Sequence, residues 1–544
     1  MITDNNTKIL TGSRVIIETL KFLGVDTIFG YPGGIVLSLY DELYKQNDIK
    51  HVLVRHEQSA VHAAEGYART TGKCGVVLVT SGPGATNTVT GIANAYMDGY
   101  PLVVLTGQVY KELIGKDAFQ EVNICDITRS CTKAVYQVDA SENIQSVLQE
   151  AYTCAMSGKK GPVVVDIVKD IFDNRVEYKQ IIAKNSDNNL INFSDVERIA
   201  GLLKHSSKPV IVAGGGVNHS QCFNELLNLS EKFNIPVVST MMGLGSYPQE
   251  DKNYLGMIGI FGDNCANEVV RKSDLIISLG ARFNDRITCM FKNVDLSSKF
   301  IQIDINQNEI GRMINPKDYM VCDVKQFLCA IDSIVAGMNK DWKSWLFVAQ
   351  DYRNLNKKRE KTSNMLHSFE VMRKIDEYTK DKNVIFTSEV GQHQLWAVQN
   401  LHVNPDRKLL LSGGAGTMGF GLPAAMGACV GNPASEVVCI SGDGSFQMSI
   451  GELATCKDYN LNLKIMILNN GYLGMVRQLQ QHICEGRYSQ TKISNPDFVE
   501  LAHSYGINAI RVNSINDIEV ALERAFSKRG PFIIDFAIEP MEVL

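Results

Sequence analysis

The chain reads as an α/β protein made of three doubly wound parallel-sheet domains. Two observations predict this. Short apolar runs that read as buried strands alternate with stretches of helical spacing along the whole length, the pattern of strand–helix–strand crossovers. At 544 residues the chain is also too long for one hydrophobic core and suggests about three domains.

The first block, residues 1–183, opens with a helix over 12–23 and carries strands at 75–80, 102–106 and 162–167. A polar linker, Lys184-Asn185-Ser186-Asp187-Asn188-Asn189, precedes the second block at 190–340, with strands at 209–213, 275–279 and 300–303. A charged stretch over 351–361, including Lys357-Lys358-Arg359-Glu360-Lys361, reads as a solvated face and leads into the third block, 365–544. There Val437-Val438-Cys439-Ile440-Ser441 and Lys464-Ile465-Met466-Ile467-Leu468 read as strands, with helical spacing over 447–459 between them.

Composition narrows the class. Hydrophobic residues at 45%, charged residues at 21% and a net charge of −5 describe a soluble globular protein with no nucleic-acid partner. Thirteen cysteines without a Cys-x-x-Cys pair fit a reducing cytoplasm better than a disulfide framework. The first ten residues lack the apolar core of a signal or transit peptide, and no apolar run approaches the roughly 20 residues that span a bilayer. The expectation is a cytoplasmic protein with no membrane partner.

The chemistry concentrates in the third block. Gly442-Asp443-Gly444 is followed, after twenty-four residues, by Asn469-Asn470. A right-handed crossover ends both strands on one sheet edge, so Asp443 and Asn470 come together there. A carboxylate and an amide oxygen are hard ligands suited to Mg²⁺, which bridges to phosphates. The glycines let backbone N–H groups approach a diphosphate, and the following helix offers its N-terminus. In the first block Arg55-His56-Glu57-Gln58 follows Val52-Leu53-Val54, putting Glu57 at a strand end facing an apolar cleft. A carboxylate there is costly to ionise unless paired. In the second block Val210-Ile211-Val212-Ala213-Gly214-Gly215-Gly216 is a strand followed by glycines. It lacks Gly-x-Gly-x-x-Gly, so a conventional NAD-binding fold is not supported.

The Gly442-to-Asn470 unit resembles the fingerprint of thiamine-diphosphate-dependent decarboxylases and carboligases. A longer series is more specific: Tyr31-Pro32-Gly33-Gly34, Arg55-His56-Glu57-Gln58, Ser81-Gly82-Pro83-Gly84-Ala85-Thr86-Asn87, Asp117-Ala118-Phe119-Gln120-Glu121 and Lys169-Asp170. It continues through Gly280-Ala281-Arg282-Phe283-Asn284-Asp285-Arg286, Val390-Gly391-Gln392-His393, Thr417-Met418-Gly419-Phe420-Gly421-Leu422-Pro423 and Leu473-Gly474-Met475-Val476. In this order, from about residue 12 to 540, the chain resembles the acetohydroxyacid synthase family, also called acetolactate synthase, of the catalytic large-subunit type.

The resemblance implies three cofactors: thiamine diphosphate, Mg²⁺ and FAD. Glu57 would activate the cofactor through a proton relay at its aminopyrimidine ring, and Met418 would sit under the cofactor in its bent shape. Gln392, His393, Gly416 and Thr417 would contact the diphosphate, with Gly442, Asp443, Gly444, Ser445, Asn470, Tyr472, Leu473, Gly474 and Met475 around it. Asp443, Asn470 and the Tyr472 carbonyl would hold Mg²⁺. Phe119, Gln120 and Lys169 would line the substrate channel, where a cation suits 2-keto acid carboxylates. Gly216, Met241, Leu255, Gly256, Met257, Gly280, Arg282, Asp304, Ile305, Asp323 and Val324, with Lys159, match the flavin positions.

By the same resemblance the reaction decarboxylates pyruvate and joins the two-carbon unit to a second 2-keto acid, toward valine, leucine and isoleucine. A homodimer is the minimum active unit, tetramers are usual, and a separate regulatory small subunit accompanies them. The chain departs from the family pattern at Ile35, Tyr110 and Leu479 around the substrate entrance, and at Lys159 and Ile258 near the flavin. Three alternatives stay open at this stage: a sister carboligase with another acceptor such as a keto-sugar, a pyruvate oxidase, and a non-enzymatic scaffold.

Overall fold

The computed structural model describes residues 8–179, 191–356 and 360–544. The linker at 184–189, residues 357–359 of the charged run and the first seven residues lie outside them. Eighteen strands form three six-stranded sheets, and Lys8–Thr11 pairs antiparallel with Arg175–Tyr178 in a small fourth one.

The first sheet runs, edge to edge, Lys50–Leu53, Thr27–Gly30, Gly75–Val79, Leu102–Gln108, Pro162–Val168 and Ala134–Val138, all parallel. Numbered along the chain, that order is 2-1-3-4-6-5. The last sheet repeats it with Leu409–Leu411, Val384–Ser388, Glu436–Gly442, Leu463–Asn469, Phe532–Ala537 and Asn508–Val512. The middle sheet differs: Tyr254–Met257, Val237–Ser239, Pro209–Ala213, Leu275–Leu279, Phe300–Asp304 and Asp318–Val321 give 3-2-1-4-5-6. This is the strand order of dinucleotide-binding domains, although the glycine spacing of that fingerprint is missing. In each doubly wound sheet the chain reverses direction at a switch point, and loops at the carboxyl ends of the strands open there.

Two compact units result. One contains the described residues up to 179 with 385–394 and 410–541, and the other contains 191–384, 395–409 and 542–544. The first unit buries one face of its N-terminal sheet on Val15, Ile16, Leu20, Leu148 and Phe172. A second core joins the other face to the C-terminal sheet, with Val61, Ala64 and Ile92 packed among Leu422, Ala425, Met426 and Ile465. The second unit has its own core around Val210, Ile211, Ile276, Phe300 and Phe327.

Inside the first unit the helix Glu57–Thr71 lies directly on the helix Gly421–Gly431. A Cβ on Gly66 would stand 2.1 Å from the carbonyl oxygen of Ala424, and one on Gly427 would stand 1.8 Å from that of Ala63. Glycine costs a helix interior about 0.5–1 kcal/mol, and here the backbone-to-backbone contact demands it. The helix Gly421–Gly431 is buried nearly all round and is correspondingly poor in charge.

The strands expected at 209–213 and 275–279 form with those limits, and the others extend one or two residues further or stop one short. The helix expected over 447–459 is instead two, Asp443–Gln447 and Glu452–Asp458. Between them Met448, Ser449 and Glu452 donate N–H bonds three residues back, to Ser445, Phe446 and Ser449, so the four-residue ladder is interrupted before Gly451. Glu57 is likewise the first residue of a helix, not the end of a strand.

Candidate active site

The carboxyl ends of the C-terminal sheet gather most of the expected diphosphate residues. Gly442 pairs with Leu468 in parallel register, so Asp443 and Asn469-Asn470 leave adjacent strands side by side. Gly471 N–H donates to Asp443 Oδ2 at 2.8 Å, and Tyr472 N–H donates to Asn470 Oδ1 at 2.9 Å. Burial pushes the Asp443 carboxyl above its ordinary range, while donors from Asn495, Gly471 and Gly444 pull it back. Tyr472 bridges to Lys492, and Leu473 N–H donates to Thr491 O at 2.7 Å, which folds the segment back before the helix Gly474–Ile483 begins. Ser445 sits buried in the first turn after Gly442, and half-buried Met475 lies in the first turn after Leu473.

Across the switch point from Gly442, the strand Val384–Ser388 delivers Glu389, Gln392 and His393. Glu389 is 1% exposed; its Oε2 accepts Gly421 N–H at 2.7 Å and its Oε1 accepts the Ser441 hydroxyl. His393 is 6% exposed, with Nε2 3.3 Å from Glu389 Oε1 but outside hydrogen-bond geometry, and that nitrogen has no partner among the described residues. A Cβ on Gly442 would lie 2.7 Å from the His393 ring. Gln392 Nε2 donates to Gln478 Oε1 at 2.7 Å. A buried imidazole nitrogen beside a carboxylate and amide oxygens, with small residues at the close approaches, fits a cation-bridged diphosphate.

The loop that carries Gly416, Thr417 and Met418 is held from the N-terminal domain of the same unit. Asp98 accepts from Gly413 N–H at 3.0 Å and Gly414 N–H at 2.7 Å. Asn94 Oδ1 accepts the hydroxyls of Ser412 (2.6 Å) and Thr417 (3.0 Å). Arg69 bridges Glu65 and Asp98, with all three side chains buried. Met418 itself is half-buried.

At the switch point of the N-terminal sheet, the motifs at 31–34 and 81–87 face each other. Thr80 Oγ1 and Ser81 Oγ are buried there without a hydrogen-bond partner among the described residues. Glu57 Oε2 accepts from Asn87 Nδ2 at 2.9 Å. The turn before Glu57 is fixed by Glu452 of the C-terminal domain, whose Oε1 accepts Arg55 N–H at 2.9 Å and His56 N–H at 3.1 Å. Burial raises the Glu452 carboxyl and those two N–H groups partly offset it. Gln120 has a left-handed backbone at φ 61° and sits where a Cβ on Gly82 would touch it at 2.9 Å. Phe119 beside it is 88% exposed. The Glu121 carboxylate ties this loop by accepting from Gly115, Lys116 and Ala118 N–H groups. Lys169 opens the helix Lys169–Asp173, its ammonium 5.9 Å from the Phe172 ring. Lys159 stands over the ring of Tyr96 at 5.5 Å.

In the second unit the expected flavin residues fall on one sheet edge. Gly214 and Gly216 follow the strand Pro209–Ala213, and Gly280 and Arg282 follow Leu275–Leu279, on either side of the switch point. A Cβ on Gly216 would lie 2.6 Å from Gly280 Cα, so the two loops cross in contact. Met241 follows the strand Val237–Ser239, and Leu255, Gly256 and Met257 end the edge strand. Asp304 ends Phe300–Asp304, just before Ile305. Asp323 caps the helix Val324–Val335 by accepting Lys325 and Gln326 N–H groups, and also takes the Ser220 hydroxyl at 2.6 Å. This glycine crossing with acidic residues beyond it fits a dinucleotide.

Asn87, Glu389, Glu452 and Asn495 are contributors that residue patterns alone did not single out. Asn87 closes a motif already noted; Glu389 follows a strand end, Glu452 opens a helix and Asn495 lies in a loop, each in ordinary local sequence.

Family comparisons agree with this layout. Residues 10–127 match the family model for thiamine pyrophosphate enzyme, N-terminal TPP binding domain. Residues 196–331 match the central domain of the same enzymes, and 389–536 their C-terminal TPP binding domain. The chain is 40% identical to the acetolactate synthase large subunit of Haemophilus influenzae, covering 98% of this chain and 96% of that one. It is also 40% identical to those of Cyanidium caldarium (99% and 94% covered) and Lactococcus lactis subsp. lactis (98% and 93%). No helix of the described residues is long and apolar enough to cross a membrane. The chain therefore belongs to the acetolactate synthase large-subunit family of thiamine pyrophosphate enzymes.

Proposed function

We propose that this chain decarboxylates pyruvate and joins the resulting two-carbon unit to a second 2-keto acid, giving 2-acetolactate or 2-aceto-2-hydroxybutyrate for branched-chain amino-acid biosynthesis. The observation that carries the reading is the side-by-side exit of Asp443 and Asn470 from adjacent parallel strands, in a chain aligned over nearly its whole length with acetolactate synthase large subunits. Asp443, Asn470 and the Tyr472 carbonyl hold Mg²⁺. Gln392, His393, Gly416, Thr417, Gly444, Ser445 and the 473–475 turn surround the diphosphate. Bound thiamine diphosphate supplies the nucleophilic carbon and the electron sink for decarboxylation.

The remaining roles belong to side chains of this protein. Glu57 holds or releases a proton at its carboxylate, steadied by Asn87. Phe119 and Gln120 line the substrate path, and the Lys169 ammonium attracts the keto-acid carboxylate. Met418 supports the cofactor from below. FAD occupies the glycine crossing of the second unit. A homodimer or tetramer and a regulatory small subunit accompany the chain, since its relatives are named large subunits. A reducing cytoplasm suits thirteen free thiols.

Two measurements test this. Incubation with pyruvate, with and without 2-ketobutyrate and with Mg²⁺, thiamine diphosphate or FAD omitted in turn, is expected to yield acetolactate only when Mg²⁺ and thiamine diphosphate are both present. Absence of acetolactate from the complete mixture sinks the reading. Glu57→Gln is expected to lower turnover about 10²–10⁴-fold while leaving cofactor affinity close to wild type. Near-full turnover in that variant removes the role given to Glu57.

A further inference from the structure

The cation-site reading above is the base for this inference. Asp535 is completely buried, and as a carboxylate it only accepts. Its Oδ2 takes Nε and Nη2 of Arg511 at 2.9 and 2.8 Å, and its Oδ1 takes Asn469 Nδ2 at 3.0 Å. That contact decides which end of the Asn469 amide faces away: Oδ1 points to Asn495 and accepts its Nδ2 at 2.9 Å. The same Asn495 Nδ2 donates to Asp443 Oδ2 at 2.6 Å, and Asn495 Oδ1 accepts Gln447 Nε2 at 2.8 Å. The chain of amides begins and ends on carboxylates, so each nitrogen and oxygen has one consistent place.

We propose that Asn495 is a positioning residue of the cation–diphosphate site. Its two amide protons bridge the ends of the strands Glu436–Gly442 and Leu463–Asn469, setting the spacing between Asp443 and the Asn469-Asn470 pair. With Gly471 N–H it supplies a second donor to Asp443 Oδ2, which fixes the carboxylate's rotation. Partners of this kind, beyond the ligands themselves, orient a metal site, and their loss weakens it about 10–100-fold.

The test is calorimetric titration of thiamine diphosphate into the full chain in Mg²⁺ buffer, for wild type, Asn495→Ala and Asn495→Asp. Aspartate keeps the shape of asparagine but brings no donor, so it meets Asp443 Oδ2 and Asn469 Oδ1 as a third acceptor. Both variants are expected to raise Kd about 10–100-fold. A role in packing alone predicts harm from alanine and a nearly normal aspartate variant. Wild-type affinity in the aspartate variant therefore overturns the proposal and leaves the cation site standing. No binding by the wild type overturns the cation-site reading and the proposal with it. Should the Asn495 variants fail to fold, Gln447→Leu removes the donor to Asn495 Oδ1 together with a long 3.5 Å contact to the Asp443 carbonyl oxygen. It is expected to weaken binding about fivefold, and unchanged binding overturns the proposal.

Discussion

A buried carboxylate is tolerated only when donors reach its oxygens, and Asp166 shows the balance most plainly. It is 1% exposed on the strand Pro162–Val168 and accepts from Thr106 Oγ1 at 2.7 Å, Gln108 Nε2 at 3.0 Å and Gln137 Nε2 at 3.4 Å. Burial still wins, and its carboxyl is pushed up to about 6 from 3.8. Between those two pH values the folded chain keeps a proton that the unfolded chain has released. Lowering the pH from 7 to 4 should therefore stabilise the fold through this group by about 2 kcal/mol. Asp166→Asn should lack that component: the wild-type-minus-variant unfolding free energy, from urea titrations, should rise as pH falls. A pH-independent difference would contradict this. At this scale the sequence draws attention where a motif concentrates polar residues, as around Asp443 or Glu57. It was silent at Asn495, which lies in the loop segment Ser494-Asn495-Pro496-Asp497 and finds its partner carboxylate 52 positions away. Nothing local distinguishes such an asparagine from one that merely begins a turn.

At the scale of elements, the contact between the helices Glu57–Thr71 and Gly421–Gly431 makes the sharpest claim. Gly66→Ala and Gly427→Ala each place a methyl group inside a neighbouring carbonyl. Each should destabilise the first unit by at least about 1–3 kcal/mol, read as a lower urea midpoint, while Gly201→Ala, in open space on a second-unit helix, should not. Equal midpoints for all three would refute the close-packing argument. Most elements were legible because strands buried on both faces are near-continuous apolar runs; Pro209–Ala213 is one. The break at Met448–Gly451 was not, because both flanking segments keep helical spacing and only the hydrogen-bond pattern interrupts. The dinucleotide strand order of the middle sheet was also hidden: its close glycine contact joins Gly216 to Gly280, in the loops after its first and fourth strands, rather than glycines within one loop.

For the whole molecule, two compact units imply two separable responses to ligands. Thiamine diphosphate with Mg²⁺ at about 100 times Kd should stabilise the first unit by about 2.7 kcal/mol, and FAD should do the same for the second. Differential scanning calorimetry should then show one transition moving with each cofactor; a single transition that both cofactors move together would argue against independent sites. The sequence divided the chain into three βα blocks readily, because alternation is a local property. It could not reveal that the first and last sheets share a core, since Val61 and Ala64 meet Leu422 and Ala425 only through the tertiary fold. That sharing has a consequence during synthesis. The face of Glu57–Thr71 that Gly421–Gly431 covers leaves the ribosome roughly 350 residues ahead of its cover. At about 5–20 residues per second, a nascent chain carries that naked glycine-and-alanine surface for tens of seconds, a window in which a chaperone would find its grip and a crowded polysome its hazard.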